Sequence, residues 1–160
     1  MLGQYAPVPF PAHSSTGFDI EDFIRSIYHE VWNRRRLNLL ADYVDRSHTC
    51  ITNNTATLHG PSERTIAVLN TLAMFPDAAV SVDHVYWNGD DQQGYHVAVR
   101  WTFSGTHTGY GVLGIPSGAR VRAMCLSQHR VKNGRFLQEF TLHDEMSIRR
   151  QIAAQRLASA

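Results

Sequence analysis

The side chains best equipped for chemistry lie late in the chain. Ser127, His129, Glu139, Thr141 and His143 fall on two stretches either side of Asn133-Gly134, and His107 precedes them. A carboxylate beside an imidazole in a dry pocket is a competent acid/base unit. Glu139 and His129 are expected as diagonal neighbours on one sheet face, with His143 projecting toward the same cavity and His107 at its mouth. His107, Glu139 and His143 are therefore the candidate proton-transfer groups. Each has a structural alternative. His107 would staple the glycine-rich loop that follows it, and Glu139 with His129 would form a wetted pair at the open end of the sheet.

Whether these groups share a face depends on how the Asn133-Gly134 hairpin closes. A two-residue loop pairs Lys132 with Arg135 and sets Ser127 opposite Phe140. A three-residue loop, with Gly134 as a left-handed bulge, pairs Val131 with Arg135, Ser127 with Glu139, and Cys125 with Thr141. One residue of slip exchanges the faces. The second register collects Ser127, His129, Glu139, Thr141 and His143 on one face. It leaves Met124, Leu126, Phe136, Phe140 and Leu142 on the other. That separation is cleaner, and it is the register expected. The polar face would line a pocket, and the apolar one would support a homodimer formed through the sheet.

Four further residues are candidate ligand contacts. Arg100 lies mid-strand, where a buried guanidinium needs a carboxylate such as Asp83 or Glu139, or a bound anion. Trp32 and Trp101 could stack on a planar ligand, although aromatic residues at that spacing also build cores. Asp144 opens the last helix, where an N-cap is the plain alternative. Ser127 and Thr141 complete the polar lining. Nine histidines occur, but no HExxH or close Cys/His cluster, so neither metal nor cofactor is expected. Gly109-Tyr110-Gly111-Val112-Leu113-Gly114 matches GxGxxG by letter. Pro116 and Gly118 follow at once, so no helix can open there as the dinucleotide fingerprint requires. These glycines are expected to let a loop fold tightly over the sheet edge.

The elements that must position these groups are legible in order. Residues 1–17, with Pro7, Pro9 and Pro11, read as an extended tail preceding one domain over 18–160. Ile20, Phe23, Ile24, Ile27, Tyr28, Val31 and Trp32 form one helical stripe capped by Asp19. Leu37, Leu40, Ala41 and Val44 mark a short second helix. A small strand with a turn is expected over 48–58. Pro61 starts a third helix, with Ile66, Leu69 and Ala73 on its apolar face joined by Val68, Leu72 and Phe75, and Pro76 stops it. Strands are expected from residue 80 onward, at about 80–87, 95–106, 119–131 and 136–142, before a helix capped by Asp144. Helices and antiparallel strands in separate blocks define an α+β chain.

Composition narrows the classes. A net charge of +1 provides no field for nucleic acid or a membrane surface, and no apolar run is long enough to span a bilayer. Arg34-Arg35-Arg36 reads as a solvated helix end. Two cysteines without CxxC spacing fit a reduced, cytoplasmic protein.

Taken together, several motifs resemble the SnoaL-like polyketide cyclases of the NTF2-like superfamily. They are Phe75-Pro76-Asp77, Val99-Arg100-Trp101, Gly105-Thr106-His107-Thr108-Gly109, Pro116-Ser117-Gly118, Asn133-Gly134-Arg135, and Asp144 with Gln151. The resemblance implies a cone of curved antiparallel sheet, three N-terminal helices over its concave face, a C-terminal helix, a central pocket and a homodimer. It also implies cofactor-free acid/base chemistry on an apolar or aromatic carbonyl compound. The family's aspartate on the last strand, its partner histidine, and a tyrosine near the end of helix one map to Thr141, Ser127 and Trp32. The alternative implied by those departures is a non-catalytic ligand-binding or assembly module.

Overall fold

The first helix, α1 (Ile20–Tyr28), starts where the Asp19 carboxylate accepts a hydrogen bond from the Asp22 amide at 3.0 Å. Its stripe then buries Ile20, Ile24, Ile27 and Tyr28, each large aliphatic residue contributing about 1.5–3 kcal/mol. These observations come from a computed structural model, which describes residues 17–52 and 57–159. The tail expected over 1–17 therefore lies outside the described residues except at Gly17. So does the turn expected around Asn53-Asn54.

A π-helical turn, His29–Asn33, continues α1 and keeps Val31 and Trp32 facing inward. Asn33 holds its end to the sheet. Its side chain donates to the Val80 carbonyl (2.9 Å) and accepts from the Val80 amide (2.8 Å). Two members of the arginine run are engaged beside it. Arg35 donates to the carbonyls of Pro76 and Ala78, and Arg36 pairs with Glu30 at 2.9 Å. The second helix, α2 (Leu39–Tyr43), is shorter than its apolar pattern suggested. Val44 already belongs to β1 (Val44–Thr52), so the polar stretch is a longer strand than expected, paired with β2 (Thr57–His59).

Helix α3 (Gly60–Met74) buries Val68 and Met74 but leaves Ile66 and Leu69 exposed. Its inward face is thus rotated from the one read off the sequence, and Arg64, one turn before Val68, faces inward with it. Strands β3 (Ala79–Asp90), β4 (Gly94–Thr106), β5 (Arg120–Lys132) and β6 (Arg135–His143) follow, then α4 (Glu145–Ala158). The order across the curved, unclosed sheet is β2-β1-β6-β5-β4-β3. All neighbours are antiparallel except β1 and β6, which run parallel. Val97, Val99, Trp101 and Phe103 alternate inward along β4 and meet the helical layer, which completes the core.

The hairpin corrects the expected register. Asn133 and Gly134 both have positive φ, so the loop is the two-residue one and Lys132 pairs with Arg135. A bulge then places one extra β6 residue, Leu137, between the pairs Val131–Phe136 and Arg130–Gln138. Beyond it Ser127 faces Thr141, His129 faces Glu139, and Cys125 faces His143. Phe136, which precedes the bulge, turns inward and is buried, against expectation. Met124, Leu126, Phe140 and Leu142 do share the exposed outer face.

Candidate functional site

Among the described residues, six polar or charged side chains are buried: His48, His107, Ser127, His129, Glu139 and Thr141. All but His107 join one network across the centre of the sheet. Its charged part is Glu139, 4 % exposed, held by Arg64 from α3 in a two-pronged pair at 3.0 Å on both oxygens. Burial alone would raise the Glu139 carboxyl. Arg64, with smaller help from the neighbouring imidazoles, reverses that and leaves it at about 2. Glu139 is therefore a fixed anion. The Cys50 thiol reaches the same carboxylate and is pushed up to about 12, by burial first and by that charge second.

His129 faces Glu139 directly across β5 and β6. Burial drops its imidazole to about 4, with Glu139 only partly opposing, so it is uncharged near neutral pH. Its Nε2 lies 2.9 Å from the Tyr28 hydroxyl. Burial raises the Tyr28 phenol far above its ordinary range, so that group keeps its proton. The pair thus offers one proton to give and one nitrogen lone pair to receive. Among the described residues, Nδ1 of His129 has no partner, and neither ring nitrogen of the buried His48 has a hydrogen-bond partner. His48 Nε2 is 3.9 Å from Glu139, and burial lowers its imidazole.

A third part closes on itself. Trp101 donates its indole N–H to the Ser127 hydroxyl at 3.0 Å, and Ser127 is hydrogen-bonded to Thr141. Tyr28 reaches Ser127 as well, which joins this hydroxyl pair to the Tyr28–His129 pair. Beside them is a partly open cavity of about 30 Å³. Tyr28, Arg64, His129 and Glu139 form its polar wall, and Trp32 and Phe136 are among its apolar lining. Among the described residues, no three His, Cys, Asp or Glu side chains converge as metal ligands would.

The residues singled out from sequence thus separate. Glu139 and Trp32 line the cavity, while Ser127, Thr141 and Trp101 stand behind it. His143 is half-buried with its ring edge-on to Trp101 at 5.4 Å, and burial lowers its imidazole. His107 is away from the cavity. Its Nδ1 is 3.1 Å from Ser117 Oγ, and its backbone binds Ala119, Ser117 and Gly118, so it staples the loop. Asp144 is an exposed N-cap that accepts from the Ser147 amide at 2.9 Å. Arg100 takes the ion-pair alternative, with Asp83 as its partner, although it is exposed rather than buried. It lies on the exposed face of β4, 4.0 Å from Asp83.

Three groups of the network were not recognised from sequence as site residues. Tyr28 read as one more member of the α1 stripe. Arg64 and His48 were passed over, although Arg64 precedes Val68 by one turn and His48 and Cys50 alternate as strand residues do. The GxGxxG-like segment is a loop. Gly111 and Gly114 close a turn, and Gly109 packs so tightly that a Cβ there would lie 1.7 Å from the Ala73 carbonyl oxygen.

A curved, unclosed six-stranded sheet with helices over its concave face is the cone architecture of NTF2-like proteins. Within that class the chain belongs to the SnoaL-like polyketide cyclase family, whose model matches residues 23–152. Among curated proteins none matches the chain. Solved structures that resemble it include a protein from Jannaschia sp. CCS1 assigned as a SnoaL-like polyketide cyclase, at TM-score 0.74 and 17% identity, covering 84% of this chain and 91% of that one. IdmH from Streptomyces antibioticus, assigned as a polyketide cyclase, resembles it at TM-score 0.72 and 21% identity, covering 83% and 97%. AclR from Streptomyces galilaeus, assigned as a hydroxylase, does so at TM-score 0.70 and 16% identity, covering 84% and 80%. At these identities the likeness is one of fold. No described helix is long and apolar enough to cross a membrane.

Proposed function

We propose that the chain is a cofactor-independent small-molecule enzyme that performs acid/base chemistry on an apolar carbonyl compound, with Tyr28 and His129 handling the proton. The observation that carries this reading is the Tyr28–His129 contact on the cavity wall, directly across the sheet from Glu139. The positions implied for a cyclase, Ser127 and Thr141, hold hydroxyls. One rung nearer the hairpin turn, the same two strands carry an imidazole on β5 and a carboxylate on β6. The chemistry has moved along the ladder by two residues.

In this mechanism Tyr28 donates to the substrate carbonyl oxygen, which leaves Nε2 of His129 free to accept a proton from the adjacent carbon. Glu139, fixed by Arg64, stabilises the imidazolium as it forms. Glu139 itself does not relay the proton, because both oxygens are engaged and its carboxyl stays ionised. A positioned acid or base of this kind contributes roughly 10² to 10⁴ in rate. The test needs no known product. Exchange of α-hydrogens for deuterium on simple ketones, followed by NMR, reports enolisation. Tyr28→Phe removes one oxygen and should slow exchange by about 10² or more. Unchanged exchange in Tyr28→Phe would refute the assignment.

A second reading has its own support. Ser127, Thr141 and Trp101 satisfy one another, which suits a pocket that binds without turnover. Saturable ligand binding with no exchange in the unmodified protein would favour it. Under either reading the exposed outer face of Met124, Leu126, Phe140 and Leu142 is a surface for a homodimer, and the two free buried thiols suit a reducing, cytoplasmic setting.

A further inference from the structure

We infer that the site accepts the slim carbonyl end of an uncharged molecule, such as an aldehyde or methyl ketone, and that Trp32 excludes carbonyls embedded in fused rings. This rests on the cavity being the binding site. The cavity measures about 30 Å³, room for about two or three water-sized spheres at roughly 10–15 Å³ each. Ordinary ligand pockets are roughly 300–1,000 Å³. A carbonyl with one small substituent fits that space while the rest of the molecule stays at the open side. A ketone flanked by rings on both sides does not.

Trp32 sets this limit because it is the bulkiest side chain of the cavity lining. Its indole is 6 % exposed and lies 6.3 Å from the Trp101 ring and 6.4 Å, edge-on, from Phe103. The backbone beneath it is anchored. Asn33 makes two hydrogen bonds to Val80, and Arg35 makes two to Pro76 and Ala78. The indole is thus wedged between aromatic rings on a turn tied to the sheet edge, and the limit is built into the fold.

Charge sets the second restriction. Arg64 and Glu139 neutralise each other at 3.0 Å, and the cavity's remaining polar groups, Tyr28 and His129, are a phenol and an imidazole paired with one another. An ionised guest would bring a charge with no counterion into a mostly apolar space, which is costly. A carboxylate of the same shape as a bound ketone is therefore rejected.

The test uses three probes on the full chain: 2-heptanone, heptanoate and anthrone, whose ketone lies between two fused rings. Ligand-observed NMR should detect 2-heptanone on the unmodified protein and neither of the others. Trp32→Ala should improve anthrone binding by at least about tenfold, and Trp32→Phe, which keeps a core aromatic, by less. Circular dichroism verifies that each variant is folded, and Trp32→Phe alone decides if the alanine variant is not. The inference is overturned if anthrone or heptanoate binds the unmodified protein as well as 2-heptanone, or if neither folded Trp32 variant gains anthrone. Either result leaves the acid/base reading intact. Failure of 2-heptanone, heptanoate and anthrone on every folded protein would remove the cavity as a site, and both readings with it.

Discussion

Replacing Arg64 with methionine should be among the most damaging single changes to this protein, with a pH signature that identifies the cause. Arg64 holds both oxygens of Glu139, whose side chain is 5 % exposed. Methionine preserves much of the packing volume but leaves a buried carboxylate without a counterion. Breaking a buried pair in this way costs about 3–5 kcal/mol. Glu139 can escape by binding a proton. Relative to a free carboxyl near 4.5, that escape costs about 3 kcal/mol at pH 7 and falls by about 1.4 kcal/mol per pH unit on acidification. The unmodified protein behaves differently. Its Glu139 is depressed to about 2, so its contribution is complete above 4.5 and is lost only as pH falls from there toward 2. The penalty of Arg64→Met should therefore shrink from about 3 kcal/mol at pH 7 to under about 1 kcal/mol at pH 5. The imidazoles titrate in both proteins and largely cancel in the difference. Urea unfolding at the two pH values measures it. With a slope near 2 kcal/mol/M, the midpoint should drop by about 1.5 M at pH 7. The double variant Arg64→Met/Glu139→Gln should recover most of the loss and flatten the pH response. A penalty below about 1 kcal/mol at pH 7, or one independent of pH, would show that Glu139 finds solvent or another cation.

The unmodified protein should also weaken in mild acid. His129 is held at about 4 by burial against 6.5 when free, so its contribution is whole above 6.5 and is lost as pH falls from 6.5 toward 4, up to about 3 kcal/mol. His129→Gln should flatten that segment of a stability–pH curve, and an unaltered slope would place the acid lability elsewhere. In the loop, Gly109→Ala puts a methyl group 1.7 Å from the Ala73 carbonyl oxygen, whereas at Gly118 only the left-handed backbone (φ +71) resists and the space is open. Calorimetry should find Gly109→Ala the costlier, above about 2 kcal/mol against about 1 for Gly118→Ala; equal losses would mean that the loop does not seat on α3. On the outer face, Leu126→Lys should shift a dimer toward monomer in sedimentation equilibrium, and a protein already monomeric at every concentration would dispose of the sheet-mediated dimer.

The fold was readable where periodicity carried it. The α1 stripe, the Pro61 start, the Asn133-Gly134 turn and the Asp144 cap all depend on local rules that neighbours a few residues away can satisfy. The site was less readable because its contacts are long-range. Tyr28 meets a histidine 101 residues on, and Arg64 a glutamate 75 residues on. Arg64 was hidden for a further reason. The apolar letters of α3 point to Ile66 and Leu69, but the sheet buries the face that carries Val68, so a charged residue faces inward while aliphatic ones face water. His107 and Arg100 show the reverse case, in which the structural alternative holds. Each is chemically capable, yet one is spent on the loop that follows it and the other lies on the opposite side of its strand.

The hairpin shows how the correct face emerged from the wrong register. A two-residue loop alone would have turned Glu139 and Thr141 outward. The bulge at Leu137 adds one residue to β6, and a second shift of one restores the original side. Beyond the bulge, parity is therefore as expected, while every cross-strand pair is displaced by two residues from the three-residue loop. That displacement has chemical content. It makes His129 and Glu139 direct rather than diagonal partners, and it sets Ser127 against Thr141, where the two hydroxyls satisfy each other. Phe136, before the bulge, is rotated inward to help line the cavity. One unpaired residue thus brings the acidic and imidazole groups together and sets an aromatic wall beside them. It leaves no letter pattern of its own: Arg135-Phe136-Leu137-Gln138 reads equally well as an unbroken strand, and only the tertiary burial of Phe136 on one side and Glu139 on the other requires the break between them.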